Sequence, residues 1–149
     1  MNGIFELFDT YSSMPRDQLQ TICDKLRIDA QNAERDHDDE RALKCGLEYV
    51  AAHAALSAIA SRQNDDIMAL SAAQLAKQGM GVVIYKVDQL CVPNDEASRE
   101  KLKKQLIEFD QTFFATSNES KAVPKKGCLS GFILLCIAAS CCSTYLLIS

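Results

Sequence analysis

Tryptophan is absent from this 149-residue chain, and proline and glycine occur only three and six times. So few helix breakers and turn formers exclude collagen-like, polyproline and hairpin-rich β architectures. There are two histidines, His37 and His53, and no two cysteines stand in C-x-x-C spacing. A zinc site is therefore left without its usual ligand pattern. The acidic run Asp36, His37, Asp38, Asp39, Glu40 fits neither an EF-hand loop nor a zinc site. It reads as an interhelical turn that caps the helix after it. The glycines of QGMGVVIYK lack the lysine and hydroxyl of a phosphate loop and the third glycine of a dinucleotide motif. They read as a helix stop. Cys45 and His53 are not spaced to share one helix face, so no nucleophile and base come together. The sequence names no catalytic residue, cofactor or metal, and the expectation is a protein that is not an enzyme.

A secretory signal is missing too. MNGIFELFDTYSS has neither a basic n-region nor an apolar h-region. At the other end the missing feature is charge, since Gly127 to Ser149 holds none. Residues 128–148 as one helix would be roughly 31 Å long, close to the thickness of a bilayer's hydrocarbon core. Nine strongly apolar residues in that segment favour insertion by about 3 to 5 kcal/mol. A soluble core helix is usually shorter or amphipathic. A lipid-anchor signal would need export, which the N-terminus does not support. The expectation is a transmembrane tail anchor.

Lys121, Lys125 and Lys126 precede this span and no Lys or Arg follows it. The positive-inside bias then keeps the N-terminal part in the cytosol. Cys128 falls at the cytosolic interface and is a candidate for palmitoylation. Gly127, Gly131, Ala138 and Cys142 form a small-residue stripe suited to contact with a second span and so to a homodimer. The other soluble-part cysteines, Cys23, Cys45 and Cys91, are odd in number and far apart, as in a reduced, cytosolic protein.

What remains is one small domain. Residues 1–120 carry 13 Lys+Arg against 20 Asp+Glu, and the rest carries three lysines and no acid. An acidic domain argues against nucleic acid as a partner. Apolar residues recur at three and four, which predicts an all-α bundle of four to five helices over 1–116. A linker at 117–127 and the membrane span at 128–148 complete the chain.

The spacing predicts a short helix near Gly3–Thr10. It then predicts helices starting at Ser13 with Pro15 in the first turn, near Asp38 or Asp39, at Asn64, and over about Asp95–Phe114. Leu19, Ile22, Leu26, Ala30 and Ala33 form one inward stripe, and Leu43, Leu47, Val50, Ala54 and Ala58 another. The helix from Asn64 should turn Ile67, Met68, Ala72 and Leu75 inward and stop at Gly79 or Gly81. VVIYKVDQLCV suits either a strand or a helix. It is taken as a further buried helical segment, because a lone strand has no partner.

The stretch Asp29–Ala60 resembles the helical hairpin of MIT-like domains, in particular the N-terminal dimerisation domain of endosomal deubiquitinases. The residues that carry it are Ala33, Glu34, Asp36, Asp39, Glu40, Arg41, Ala42 and Tyr49. They cover a helix end, an acidic turn, an Arg-Ala pair and an aromatic on the next helix. A tetratricopeptide-type hairpin shares the same chemistry. The resemblance implies a protein-binding module of the endosomal sorting type, and the chain departs from it in having no protease domain.

The functional expectation is a tail-anchored adaptor or receptor in trafficking or organelle organisation. It would bind other proteins at the endoplasmic reticulum or endosomal membranes rather than the mitochondrial outer membrane. The alternative is a fusion or apoptosis-regulator type of protein acting on the bilayer itself. The interruption at Pro124 and the lack of tryptophan weigh against its best-known forms.

Overall fold

The computed structural model describes residues 3–114, which form five α-helices and no strand. They are α1 (Ile4–Ser12), α2 (Arg16–Arg35), α3 (Asp39–Arg62), α4 (Asp66–Gln89) and α5 (Glu96–Phe113). The expected linker and membrane span lie outside the described residues.

Two of the turns share one design. After α2, His37 takes a left-handed backbone conformation, and the Asp38 amide donates back to the Ala33 carbonyl. After α3, Asn64 does the same and Asp65 donates to Ala60. Each left-handed residue closes one helix, and the aspartate after it opens the next. The Asp38 carboxylate accepts from the Arg41 amide at 3.0 Å, and that of Asp65 from the Met68 amide at 3.1 Å. The sequences of the two turns, RDHDDERA and RQNDDIMA, share the arginine, the polar left-handed residue, the Asp-Asp pair and the closing alanine. Asp95 caps α5 in the same way through the Ser98 amide at 2.8 Å. Before that cap, Arg99 donates to the carbonyls of Cys91, Pro93 and Asn94 and so gathers the loop around a cis Val92–Pro93 peptide.

α3 is the central element, packed by α1, α2 and α4. Its alanines explain why three helices fit around one. Ala51, Ala52, Ala54 and Ala55 have no exposed surface at all, and a methyl side chain lets a neighbouring backbone come close from any direction. Leu43, Leu47 and Val50 fill the gaps between them. α5 is held more lightly, against α1 and α4. Its link to α1 is aromatic: Phe109 meets Phe5 edge-on at 5.3 Å, and Phe113 meets Phe8 at 4.7 Å. Such pairs are worth about 0.5–1.5 kcal/mol beyond their buried area.

The expected all-α bundle is therefore observed, with differences in detail. α2 begins at Arg16 with Pro15 as its cap residue rather than in its first turn. Ala30, Ile22 and Ala58 are half-buried, and Cys23 takes a core place on α2 instead.

The largest correction concerns α4. Neither Gly79 nor Gly81 stops it; the helix runs through both and absorbs most of VVIYKVDQLCV. Glycine inside a helix costs about 1 kcal/mol relative to alanine. At Gly79 the reason is packing: an added Cβ would lie 2.9 Å from Tyr49 Cδ1 and 3.1 Å from Val50 Cγ2. Gly46 on α3 likewise leaves room for Val83. The buried line of α4 is Ala72, Ala76, Met80, Val83 and Val87. That phase turns Ile67 and Leu75, expected inside, to the solvent. It also leaves Val82, Ile84 and Tyr85 of the supposedly buried segment exposed.

Candidate functional site

α4 carries the surface that most needs explaining. Along its outward side lie Ile67, 82% exposed, Leu70, 59%, Val82, 54%, and Tyr85, 57%. Leu75 and Ile84 border the same face at 39% and 38%. From Ile67 to Tyr85 the only charged residue of α4 is Lys77. This face arises because α4 is apolar on nearly all sides while α3 covers only one of them. Isolated exposed apolar side chains are ordinary, but here an apolar group stands at each end of one uncharged face, with Ser71, Gln74, Gln78 and Gly81 between them, and such a face is a candidate contact surface.

At its C-terminal end the patch continues onto α5. Ile84, Val87, Asp88, Lys103, Leu106 and Ile107 line a shallow cleft there, and Ile107 is exposed beside it. Lys103 Nζ stands 2.9 Å from Asp88 and 3.3 Å from Glu100. Hydrogen bonding to Asp88 and then Glu100 raises the lysine pKa. The cleft joins an apolar floor to a charged rim.

The acidic turn is organised by a lysine that the sequence did not single out. Lys86 is buried, and its Nζ reaches Glu34 at 2.9 Å and Asp39 at 3.1 Å. Burial works against its charge, but the hydrogen bonds it donates to Glu34 and Asp39 prevail and raise its pKa. Glu34 near the end of α2 and Asp39 of the acidic run thus neutralise one core lysine and tie α4 to the α2–α3 turn. Arg41 approaches Asp36 at 3.6 Å on the exposed side. Asp36, Asp38, Asp39 and Glu40 also edge an open depression with Val92 and Asn94. Among the described residues, no cluster of His, Cys, Asp and Glu has the arrangement of a metal site.

The other residues weighed from the sequence have structural places. Ala33 and Ala42 are buried at the α2–α3 crossing. Tyr49 packs on Gly79 and lies against the His53 ring at a tilt of 39°, with ring centroids 4.0 Å apart. The His53 Nδ1–H donates to the Tyr49 carbonyl at 2.9 Å. Burial lowers the His53 pKa below its ordinary 6.5 and holds the ring neutral. The thiol of Cys23 is pushed up to about 12 by burial and by Asp24. That of Cys45 is raised by burial and by Glu48. Both thiols are poor nucleophiles in this setting. Cys45 and His53 lie eight residues apart on α3, about 12 Å along its axis. Lys121, Lys125, Lys126, Gly127, Cys128, Gly131, Ala138 and Cys142 lie outside the described residues.

What the sequence reading missed was the phase of α4. The line Ala72, Ala76, Met80, Val83, Val87 is regular helical spacing. It becomes visible once the glycines are allowed inside the helix, and the bare face and the inward Lys86 then follow from it. The arrangement offers binding: an uncharged outward face with apolar ends, beside a charged rim. Searches of protein-family models, curated proteins and solved structures return no match to this chain.

Proposed function

We propose that this is a single-span membrane protein whose helical domain faces the cytosol and binds other proteins at the membrane surface, as an adaptor or receptor. The observation that carries the reading is the uncharged stretch from Gly127 to Ser149 directly after Lys121, Lys125 and Lys126. The domain supports it with a protein-binding type of surface, the outward apolar face of α4. Confinement to a membrane raises the effective concentration of such a domain toward any partner on the same surface. The small domain then needs only a modest contact area for useful binding. The work proposed is recognition rather than catalysis, at the endoplasmic reticulum or on endosomes.

The test is carbonate extraction of the full chain, with proximity labelling from its N-terminus. Retention in the membrane pellet, together with a discrete set of labelled cytosolic-side proteins, is expected. Release of the intact chain into the soluble fraction overturns the anchoring.

One observation favours a second reading, action on the bilayer itself. α4 is 24 residues long with a mean hydropathy of 1.3 over its most apolar window, and only 22% of that window is buried. By length and composition it is able to cross a membrane, although the core helix of a soluble domain passes the same test. Leakage of dye from liposomes on addition of the chain would select this reading over the first.

A further inference from the structure

Among the glycines of the described residues, Gly81 is the one at which an added side chain meets open space. A Cβ added at Gly46 or Gly79 would press on Val83 or Tyr49, whereas one added at Gly81 would meet nothing within 4 Å. The residue is exposed, lies in the interior of α4 and has a right-handed helical environment. A helix is weakened by glycine, and nothing inside this domain benefits from that. A benefit would come from something outside the domain that approaches the α4 backbone closely at this point.

The pattern around Gly81 says what that is. Ile67 and Tyr85 are 18 residues apart, about five full turns, so they share one azimuth on the helix. Both stand nine residues from position 76. Leu70 and Val82 are also equidistant from it, as are Ser71 and Gly81, and Gln74 and Gln78. The outward face is thus the same read in either direction: apolar at the ends, small at the next step, amide in the middle. We propose that α4 pairs with α4 of a second copy, antiparallel, about a two-fold axis across position 76.

In that register Ile67 meets the partner's Tyr85. Leu70 sits over the partner's Gly81, and Val82 over the partner's Ser71, so each larger side chain falls on a small one. Gln74 and the partner's Gln78 can exchange amide hydrogen bonds at the centre. Isologous pairing requires self-complementarity of this kind.

Charge agrees with the register. α4 begins at Asp66, and its other end is flanked by Lys103 beside Ile84 and Asp88. Antiparallel packing brings the acidic start of one helix towards the lysine-bearing flank of the other. The exposed Ile107 then lies near the partner's Leu70, extending the contact beyond α4. The outward side chains at their observed exposures present roughly 500 Å² of apolar surface per copy. Their pairing covers about 1,000 Å², the lower bound for a specific interface. The association goes beyond the membrane reading and does not depend on it, because every contact lies within residues 66–107.

The experiment measures the mass of the full chain in detergent micelles by light scattering over a concentration series. The wild-type chain is expected to dimerise. Ile67→Lys and Tyr85→Glu are each expected to weaken association at least tenfold. Residues 67 and 85 are about 27 Å apart along one helix, too far to pair within a chain. The double variant Ile67→Lys/Tyr85→Glu recovers the dimer only if each lysine meets the partner's glutamate. Gly81→Leu is expected to weaken association while helix content by circular dichroism is kept, because the site is open in the monomer. A wild-type chain that stays monomeric, or a double variant no better than the single ones, overturns the proposal. So does a dimer that ignores these variants and is lost with Gly131→Leu, since its contact would then lie in the apolar segment 127–149.

Discussion

α3 and α4 are both 24 residues long, enter through aspartate-capped turns and lie against each other, yet α3 is buried all round through residues 50–56, while α4 packs on α3 along one side and meets α5 only lightly. The difference is not one of greasiness, since α4 is the more apolar by composition. α3 is built on alanine, which lets α1, α2 and α4 approach from three directions at once. α4 turns Ala72, Ala76 and Gly79 towards α3 and its bulky Ile67, Leu70, Val82 and Tyr85 away from it. Burial therefore follows where the small residues lie, because close approach decides which neighbours can arrive. A helix whose large apolar groups face away from its own domain is left with surface for something else.

The contrast is most open to attack at its two extremes. Leu47→Ala on α3 should destabilise the domain by about 2–5 kcal/mol, since Leu47 is 1% exposed and its removal leaves a cavity. Ile67→Ala on α4 should change monomer stability by no more than about 0.5 kcal/mol. Urea titrations of dilute protein measure both. Comparable losses at the two sites would mean that the outward face of α4 is packed after all.

The two neighbouring glycines sharpen the point. Gly79→Ala should cost about 1–3 kcal/mol, because the new methyl would press on Tyr49 and Val50. Gly81→Ala meets open space and should stabilise the monomer by up to about 1 kcal/mol. Opposite signs in thermal melts are the expected outcome for residues only two positions apart.

The turns should behave alike where the helices do not. Asp38→Ala and Asp65→Ala each remove one cap bond to the following helix and should each cost about 1 kcal/mol. Asp65 also receives a hydrogen bond from Arg16, so its loss should be slightly the larger in a melt.

The smallest effect is in pH. The folded chain holds His53 below its ordinary pKa of 6.5 through burial, so the unfolded chain takes up a proton that the folded one refuses. That contribution is absent above about pH 6.5 and grows as a destabilisation when the pH falls below it. The carboxylates of Asp65 and Asp95, whose pKa values are lowered by their cap bonds, act only at more acidic pH. Between pH 7 and 5 the melting temperature should therefore fall, and His53→Gln should flatten that fall. An equal slope in the variant would remove His53 as its source.

Much of the fold could be read from residues alone. Asp38 or Asp39, Asn64 and Asp95 were read as three helix starts and fall within a residue or two of the observed ones, because a cap acts on amides three positions away and needs no tertiary help. The contact surface could not be read in this way. Reading Gly79 and Gly81 as stops broke α4 in two and set its phase wrongly, so Ile67 and Leu75 were turned inward and Lys86 was not noticed. Local propensity favours ending a helix at such glycines. The contacts of Val83 and Val87 with the core, and the approach of Tyr49 to Gly79, outweigh it.

The order of residues determined that the domain is helical and where its turns fall, and also that an uncharged 23-residue stretch follows it from Gly127. These are matters of hydrogen bonding and hydropathy over a few neighbouring positions. Only the tertiary structure decided that α3 would be the hub, that Lys86 would be drawn inside by Glu34 and Asp39, and that the bulky side of α4 would be left bare. Those outcomes depend on which surfaces can come close across 30 to 50 residues of chain, and close approach is a property of paired helices rather than of either one.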